Sequence, residues 1–186
     1  MRVYLVRHPQ PLVAAGVCYG ASDLSCAPAQ QVRTLAAVLP QLPRTLSGIP
    51  VFSSPMLRCA ALARRLPDAT PIFDARLREM EFGAWEMQRW DEIARTEIDA
   101  WAADLLDYRP GGGESVRRMA QRVHAFYLEL RQRDEPQAIV VCHAGSMRML
   151  AACAPERTLE HIALEAASSL YKPAYGEVLP LEIMPA

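Results

Sequence analysis

The sequence predicts an α/β fold: a three-layer αβα sandwich on a mostly parallel sheet, with a helical cap inserted at about residues 79–113. Three observations predict it. Short apolar runs alternate with helix-length segments along the chain, the pattern of a layered α/β domain. Some of those runs end in arginine or histidine rather than in turn residues. The stretch 79–113 is too long for an ordinary connection, yet it holds Trp85, Trp90 and Trp101. The expected organisation is a single domain over 1–186.

Taken in order, "VYLVRH" (3–8) reads as a strand buried on both faces, since Val3, Tyr4, Leu5 and Val6 are all apolar. "APAQQVRTLAAVLPQL" (27–42) reads as a helix, with Pro28 suited to an early helical position. "IPVFSS" (49–54) is a second strand, and "PMLRCAALARRL" (55–66) is a helix opened by Pro55. "PIFD" (71–74) is a third, short strand. "ESVRRMAQRVHAFYLELRQR" (114–133) is a periodic helix with Val116, Met119, Val123, Phe126, Tyr127 and Leu130 on one side. "PGGGES" ahead of it is a bend, with Glu114 or Ser115 near the helix cap. "AIVVCH" (138–143) is a buried strand, and "AGSMRMLAAC" begins the helix after it. "EVLPLEIM" (177–184) is an edge strand, because Pro180 cannot serve a central ladder.

Composition narrows the class. A length of 186 residues, with 51% apolar and 22% charged content, suits one globular domain with a sizeable core. A formal net charge of −1 excludes nucleic-acid binding built on general positive charge, so any anion site must be made by a few placed cations. Five cysteines (Cys18, Cys26, Cys59, Cys142 and Cys153) form no C-x-x-C pair. They indicate a reducing compartment without a disulfide framework or zinc knuckle. No signal-peptide core and no 18-residue apolar run are present; a cytoplasmic protein with no membrane partner is expected.

Strand ends carry the chemistry. Arg7 and His8 follow the first strand, Arg58 lies about one turn into the helix after the second, and His143 follows the fourth. The carboxyl ends of parallel strands share one sheet edge, where ligands bind. Two arginines and two histidines converging there make a pocket for a doubly charged anion, and the helix opened by Pro55 adds its dipole. A phosphoryl group fits better than a carboxylate. No Asp, His or Cys cluster has metal-ligand spacing, and no cofactor is expected.

"LVRHPQP", "SSPMLRCAALA", "RLREMEFGAWE", "PGGGES" and "VVCHAGSMR", in that order over residues 1–150, resemble the histidine phosphatase superfamily of phosphoglycerate-mutase-like fold. Within it, "GVCYGASDLS" and "REMEFGAWEM" are similar to the α-ribazole phosphatase branch, which serves cobalamin nucleotide-loop assembly. The resemblance implies that His8 is a nucleophile, that Arg7, Arg58 and His143 bind phosphoryl oxygens, and that Glu79 is the acid/base. Glu81 is its near competitor by sequence. Gln10, Tyr19, Gly20 and Ala144 are the expected substrate-binding residues, with Gly20 allowing the backbone close to the phosphate. The sequence departs from the family's usual "RHGET": Pro9 stands for a glycine, Pro11 for a threonine, and Ala14 for an asparagine that binds phosphate in many members.

The expected activity is metal-independent hydrolysis of a small-molecule phosphomonoester through phosphohistidine, with α-ribazole 5′-phosphate as substrate. The cap segment 84–113 sets Arg89, Arg95 and Arg109 among seven acidic residues, which disfavours a small polyanionic substrate; its three tryptophans either wall the pocket or serve as hydrophobic anchors of short helices. Alternatives are a phosphoglycerate mutase or broad phosphatase of the same fold, and a dead scaffold that binds a partner. A homo-oligomer is open. "CHAGSMR" (142–148) also fits C-x-x-G-x-x-R, in which Cys142 attacks and Arg148 cradles phosphate. That reading leaves Arg7, His8, Arg58 and Glu79 without a role.

Overall fold

Alternate side chains of a strand face opposite ways, so an all-apolar strand must have cover on both sides. The computed structural model, described here for residues 1–153 and 157–184, meets that demand. On the first strand, β1 (Arg2–Arg7), Val3 and Leu5 enter one core while Tyr4 and Val6 enter another. The other strands are β2 (Val51–Ser53), β3 (Ile72–Phe73), β4 (Gln137–Cys142) and β5 (Val178–Glu182). Their order is β3-β2-β4-β1-β5; the first four run parallel and β5 is antiparallel to β1. Pro180 lies on that edge strand, opposite Tyr4.

Helices α1 (Pro28–Val38) and α2 (Leu57–Ala63) contribute to the core on the Tyr4 side. Helices α4 (Val116–Arg131), α5 (Ala144–Cys153) and α6 (Leu159–Ser168) contribute to the other, and α3 (Arg95–Ala103) lies in the cap. The three-layer sandwich is therefore as expected. All six apolar residues named on the 114–133 helix are buried, each worth about 1.5–3 kcal/mol for the larger side chains. The Ser115 hydroxyl caps that helix, accepting from the Arg118 amide at 3.4 Å.

Several boundaries moved. The helix expected over 27–42 ends at Val38 and continues as one 3₁₀ turn, Leu39–Gln41, because Pro40 cannot extend it. The helix expected over 55–66 covers only Leu57–Ala63. Its first amide, of Leu57, donates to Asp23 Oδ1 at 2.7 Å. So short a helix, with that donor already taken, supplies no dipole to a ligand. The cap is less helical than expected. It holds one α-helix, α3, and 3₁₀ turns at Gly83–Trp85 and Pro110–Gly112. The two ends of the insertion meet through a hydrogen bond from the Glu114 amide to the Glu81 carbonyl, 2.8 Å. Helix α6, capped by Thr158, was not anticipated from the sequence.

Candidate active site

Register gathers the strand ends. Arg7 pairs with Cys142, and Ser53 with Val141, so residues 7–8, 54–58 and 143 emerge on one sheet edge. They adjoin a cavity of about 460 Å³ lined by Arg7, His8, Tyr19, Arg58, Glu79 and Ala144, among others.

His8 is 2% exposed. Its Nδ1 lies 2.7 Å from the Pro9 carbonyl, which can only accept, so Nδ1 carries the proton. Nε2 then bears the lone pair, and it has no hydrogen bond among the described residues. Burial, then Arg58 and Arg7, hold the imidazole well below its ordinary pKa, against the opposing hydrogen bond to Pro9. The ring is neutral at pH 7. The main-chain carbonyl of residue 9, which any residue there would supply, fixes this tautomer, and Cys26 Sγ donates to the same carbonyl at 3.3 Å.

Arg58 is fully buried. Its Nη1 and Nη2 donate to the carbonyls of Ser22 and Gly20, both at 2.7 Å, and Nε donates to His143 Nδ1 at 3.2 Å. Arg7 donates from Nη1 to the Pro173 carbonyl and lies 4.0 Å over the Tyr175 ring. Neither cation has an ion pair among the described residues, whereas Arg2, Arg76, Arg89, Arg95, Arg117, Arg122 and Arg133 all pair with carboxylates. A buried cation left without a carboxylate calls for an anion from outside.

The loop carrying those two carbonyls is itself held. Glu86 accepts from the amides of Gly20 (3.2 Å), Ala21 (2.7 Å), Ser22 (2.7 Å) and Phe82 (3.0 Å), and from the Ser22 hydroxyl. Burial alone would raise the Glu86 pKa; these donors hold it below its ordinary value. Amides face Glu86, so carbonyls face Arg58.

Glu79 Oε2 accepts from the Gly145 amide at 2.9 Å, and Oε1 from the Met80 amide at 3.1 Å. A methyl group on Gly145 would sit 2.2 Å from Glu79 Oε1; glycine is required for that approach. Glu81, the sequence competitor, does not line this cavity but an adjoining one on the far side of Glu79.

Not every expected contact forms. His143 is fully buried and does not line the cavity. Its Nδ1 must accept from Arg58, so Nε2–H donates to Ser54 Oγ at 2.8 Å. Burial, then His8 and Arg58, push its pKa well down. In this conformation His143 stands behind Arg58, with both ring nitrogens taken by Arg58 and Ser54. Gly20 does not approach the cavity. A methyl there would lie 1.8 Å from the Met80 carbonyl, so the glycine lets the loop pack on the cap. Gln10 and Ala14 line a separate, open groove. Tyr19 and Ala144 do line the cavity. Trp85 is buried in a small cap core with Cys18 and Ile93, while Trp90 and Trp101 line the cavity, stacked at 6.5 Å. Cys142 is fully buried inside β4 and its thiol pKa is pushed up by burial, so it has no access to the cavity.

Sequence reasoning missed Tyr175, Glu86, Gly145, and Arg148 as a wall residue. Tyr175 had a signal: an antiparallel edge strand places the residues before it beside the end of β1. Val6 pairs with Val178, and the Gly176 amide donates to the Arg7 carbonyl at 3.1 Å. Arg148 had one too, since it lies four residues after Ala144 on the same helix face.

The arrangement is that of a known group. Residues 3–170 match the model of the histidine phosphatase superfamily (branch 1). The chain belongs to the histidine phosphatase superfamily. It is 31% identical over 163 residues to the Salmonella paratyphi C (strain RKS4594) protein named "Probable phosphoglycerate mutase GpmB", covering 81% of this chain and 73% of that protein. In fold it is similar to the Escherichia coli K-12 protein named "putative alpha-ribazole-5'-P phosphatase", with a TM-score of 0.80 and 22% identity over 100% of this chain and 96% of that one. It is similar also to a mycobacterial glucosyl-3-phosphoglycerate phosphatase, TM-score 0.76 and 23% identity over 96% and 88%. Histidine phosphatase homologues are phosphatases or mutases, and this chain is a phosphoryl-transfer enzyme. No described helix is long and apolar enough to cross a membrane.

Proposed function

We propose that the protein hydrolyses a phosphomonoester through phospho-His8. The observation that carries this reading is the neutral imidazole on the cavity floor: Nδ1 is tied to Pro9, Nε2 is free, and two arginines without carboxylate partners stand beside it. Nε2 attacks phosphorus and the P–O bond to the leaving group breaks. Glu79 gives its proton to the departing oxygen. Glu79 then takes a proton from water as that water attacks the phosphohistidine, and the N–P bond breaks to release phosphate. Arg7 and Arg58 stabilise the charge spread over the three equatorial oxygens. The donor set is cationic rather than carboxylate-rich, so a metal ion has no work to do in this scheme.

The finer reading is α-ribazole 5′-phosphate as substrate. Phe82, Trp90, Trp101 and Ile98 give the cavity an aromatic and apolar wall, and Arg89, Arg95 and Arg109 of the cap stay outside it. Such a wall rewards a ribose bearing a flat heterocycle over a three-carbon acid. The test is kcat/KM for α-ribazole 5′-phosphate and 3-phosphoglycerate side by side, in chelator. A preference of about tenfold or more for the former, roughly 1.4 kcal/mol, is expected. Equal values would remove the finer reading; a rate restored only by added metal would remove the scheme.

A further inference from the structure

Buried polar atoms in folded proteins nearly always have a partner, and a desolvated donor left alone costs about 1–3 kcal/mol. Among the described residues, three buried side-chain nitrogens have none: Arg7 Nε, Arg148 Nε and Trp101 Nε1. All three side chains line the same cavity. Separate packing faults have no reason to collect in one cavity.

Arg7 belongs to the phosphoryl floor already described. The other two lie outside it. Arg148 is one helical turn beyond Ala144 on α5, about 6 Å farther along the helix axis. Trp101 comes from α3, in the cap. Around them the wall is apolar, with Leu105, Met149, Ala166 and Ala167. Arg148 has no ion pair or hydrogen bond among the described residues. Arg148 is half-buried, and its covered Nε, like Trp101 Nε1, is a donor that stays unmet unless a ligand supplies the acceptor.

We infer that Arg148 and the Trp101 indole N–H form a second subsite, which takes a hydrogen-bond acceptor carried on the leaving group of the substrate, beyond the ester oxygen. The inference rests on the phosphomonoesterase reading above and adds a chemical requirement to it. Both donor atoms are covered in the empty cavity, so the acceptor draws them inward by a side-chain turn as it binds. A carboxylate set on a flat ring that the aromatic wall also holds, unlike that of a three-carbon acid, is the strongest acceptor for this pair, since charge-assisted hydrogen bonds are about twice as strong as neutral ones. An unsubstituted ring nitrogen of a heterocycle is the neutral form of the same chemistry. The subsite therefore selects among phosphomonoesters, while the floor handles the phosphoryl group common to all of them.

The experiment uses the full-length enzyme and three aryl esters of similar size: phenyl phosphate, 3-carboxyphenyl phosphate and 3-pyridyl phosphate. The readout is the ratio of kcat/KM for each acceptor-bearing ester to that for phenyl phosphate. A ratio is unaffected by the fraction of enzyme that is folded. The wild type is expected to favour the carboxyphenyl ester by about tenfold or more, as a hydrogen bond to a charged group would give. Arg148→Met should bring that ratio close to one, Arg148→Lys should keep part of it, and Trp101→Phe should lower it by a smaller factor. A ratio that depends on Arg148 only for the pyridyl ester supports the subsite in its neutral form. Ratios near one for both esters in the wild type, or ratios that Arg148→Met leaves unchanged, overturn the subsite. Those results leave the phosphatase reading standing so long as phenyl phosphate is hydrolysed. Failure of the wild type on all three esters would strike that reading instead.

Discussion

The floor and the cap wall of the cavity are built in opposite ways. Floor groups leave the ends of paired strands and are fixed by main-chain atoms: His8 by the Pro9 carbonyl, Arg58 by those of Gly20 and Ser22, and Glu79 by the amides of Met80 and Gly145. Wall groups leave irregular loop positions, at Phe82 and Trp90, and one short helix, and they are fixed by one another. Phe82 meets Trp90 and Trp101 edge-on at 5.6 and 5.9 Å, and Trp90 stacks on Trp101. Charge divides the same way, since the floor arginines lack carboxylate partners while Arg89 and Arg95 of the cap pair with Asp91 and Asp99 at the surface. Main-chain anchoring holds a reacting group in one geometry. A side-chain cluster can be resized without disturbing the sheet. In the proposed mechanism the floor therefore sets the reaction, and the wall sets which ester enters.

If that division is right, the largest effect comes from the floor. His8→Ala is expected to abolish both turnover and formation of an acid-labile phosphoenzyme. Cys142→Ala should retain most of both, because the thiol is enclosed in the core and has no access to the cavity. Survival of labelling in His8→Ala together with its loss in Cys142→Ala would return the case to the cysteine reading.

Glu79 comes next. Replacing it with Gln should lower turnover on alkyl phosphates by about 10²–10⁴-fold, and by less on aryl esters, whose leaving oxygen needs little protonation. Gly145→Ala should reproduce that leaving-group dependence without touching the carboxylate chemically, because the new methyl would stand 2.2 Å from Oε1. Should Glu81→Gln show the dependence while Glu79→Gln does not, the acid has been assigned two residues too early.

A smaller effect concerns pH. His8 and His143 have folded-state pKa values well below the ordinary 6.5. Below about pH 6.5 the unfolded chain takes up protons that the folded chain refuses, so stability falls as pH falls. Each imidazole contributes at most about 1.4 kcal/mol per pH unit, a tenfold change in the folding equilibrium, from about pH 6.5 down towards its folded value. Above that window neither group contributes. Denaturant melts at pH 7.5, 6.5 and 5.5 measure the slope, and His8→Asn should reduce it. An unchanged slope in that variant would show that His8 is not held neutral by the fold.

The same division explains what could be read from the sequence. Arg7, His8 and His143 follow apolar runs that read as strands, Arg58 lies in the helix after another such run, and parallel strands bring their ends together whatever the details of packing. The floor was legible for that reason, although the place of His143 behind Arg58 needed coordinates. A strand end fixes where a histidine is, not which neighbour takes its ring nitrogens. Glu79 sits in no periodic element, and only the family resemblance pointed to it. The wall was harder still. Trp85, Trp90 and Trp101 look alike in sequence, but the bridge between Val17 and Arg89 ties the first loop to the cap, and Trp85 closes the small core formed there with Cys18. Non-local contacts of that kind leave no periodic trace.

The last and smallest effect separates two of those tryptophans and tests the wall directly. Trp85 is 2% exposed, donates from Nε1 to Glu97 at 3.3 Å, and does not line the cavity. Trp90 is 39% exposed and does line it. Trp85→Ala should therefore act through stability, at about 3–5 kcal/mol for a buried aromatic truncation, with little preference among esters in the fraction that stays folded. Trp90→Ala should leave the melting temperature nearly unchanged. It should lower kcat/KM severalfold for an ester with a flat aromatic leaving group, and much less for a short alkyl phosphate, because a ring contact is worth about 0.5–1.5 kcal/mol beyond the area it covers. The measurement is a pair of selectivity ratios, aryl over alkyl, set beside two thermal melts. A selectivity change in Trp85→Ala as large as that in Trp90→Ala would mean that the cap core and the wall act as one unit, and that resizing the wall cannot be separated from folding it.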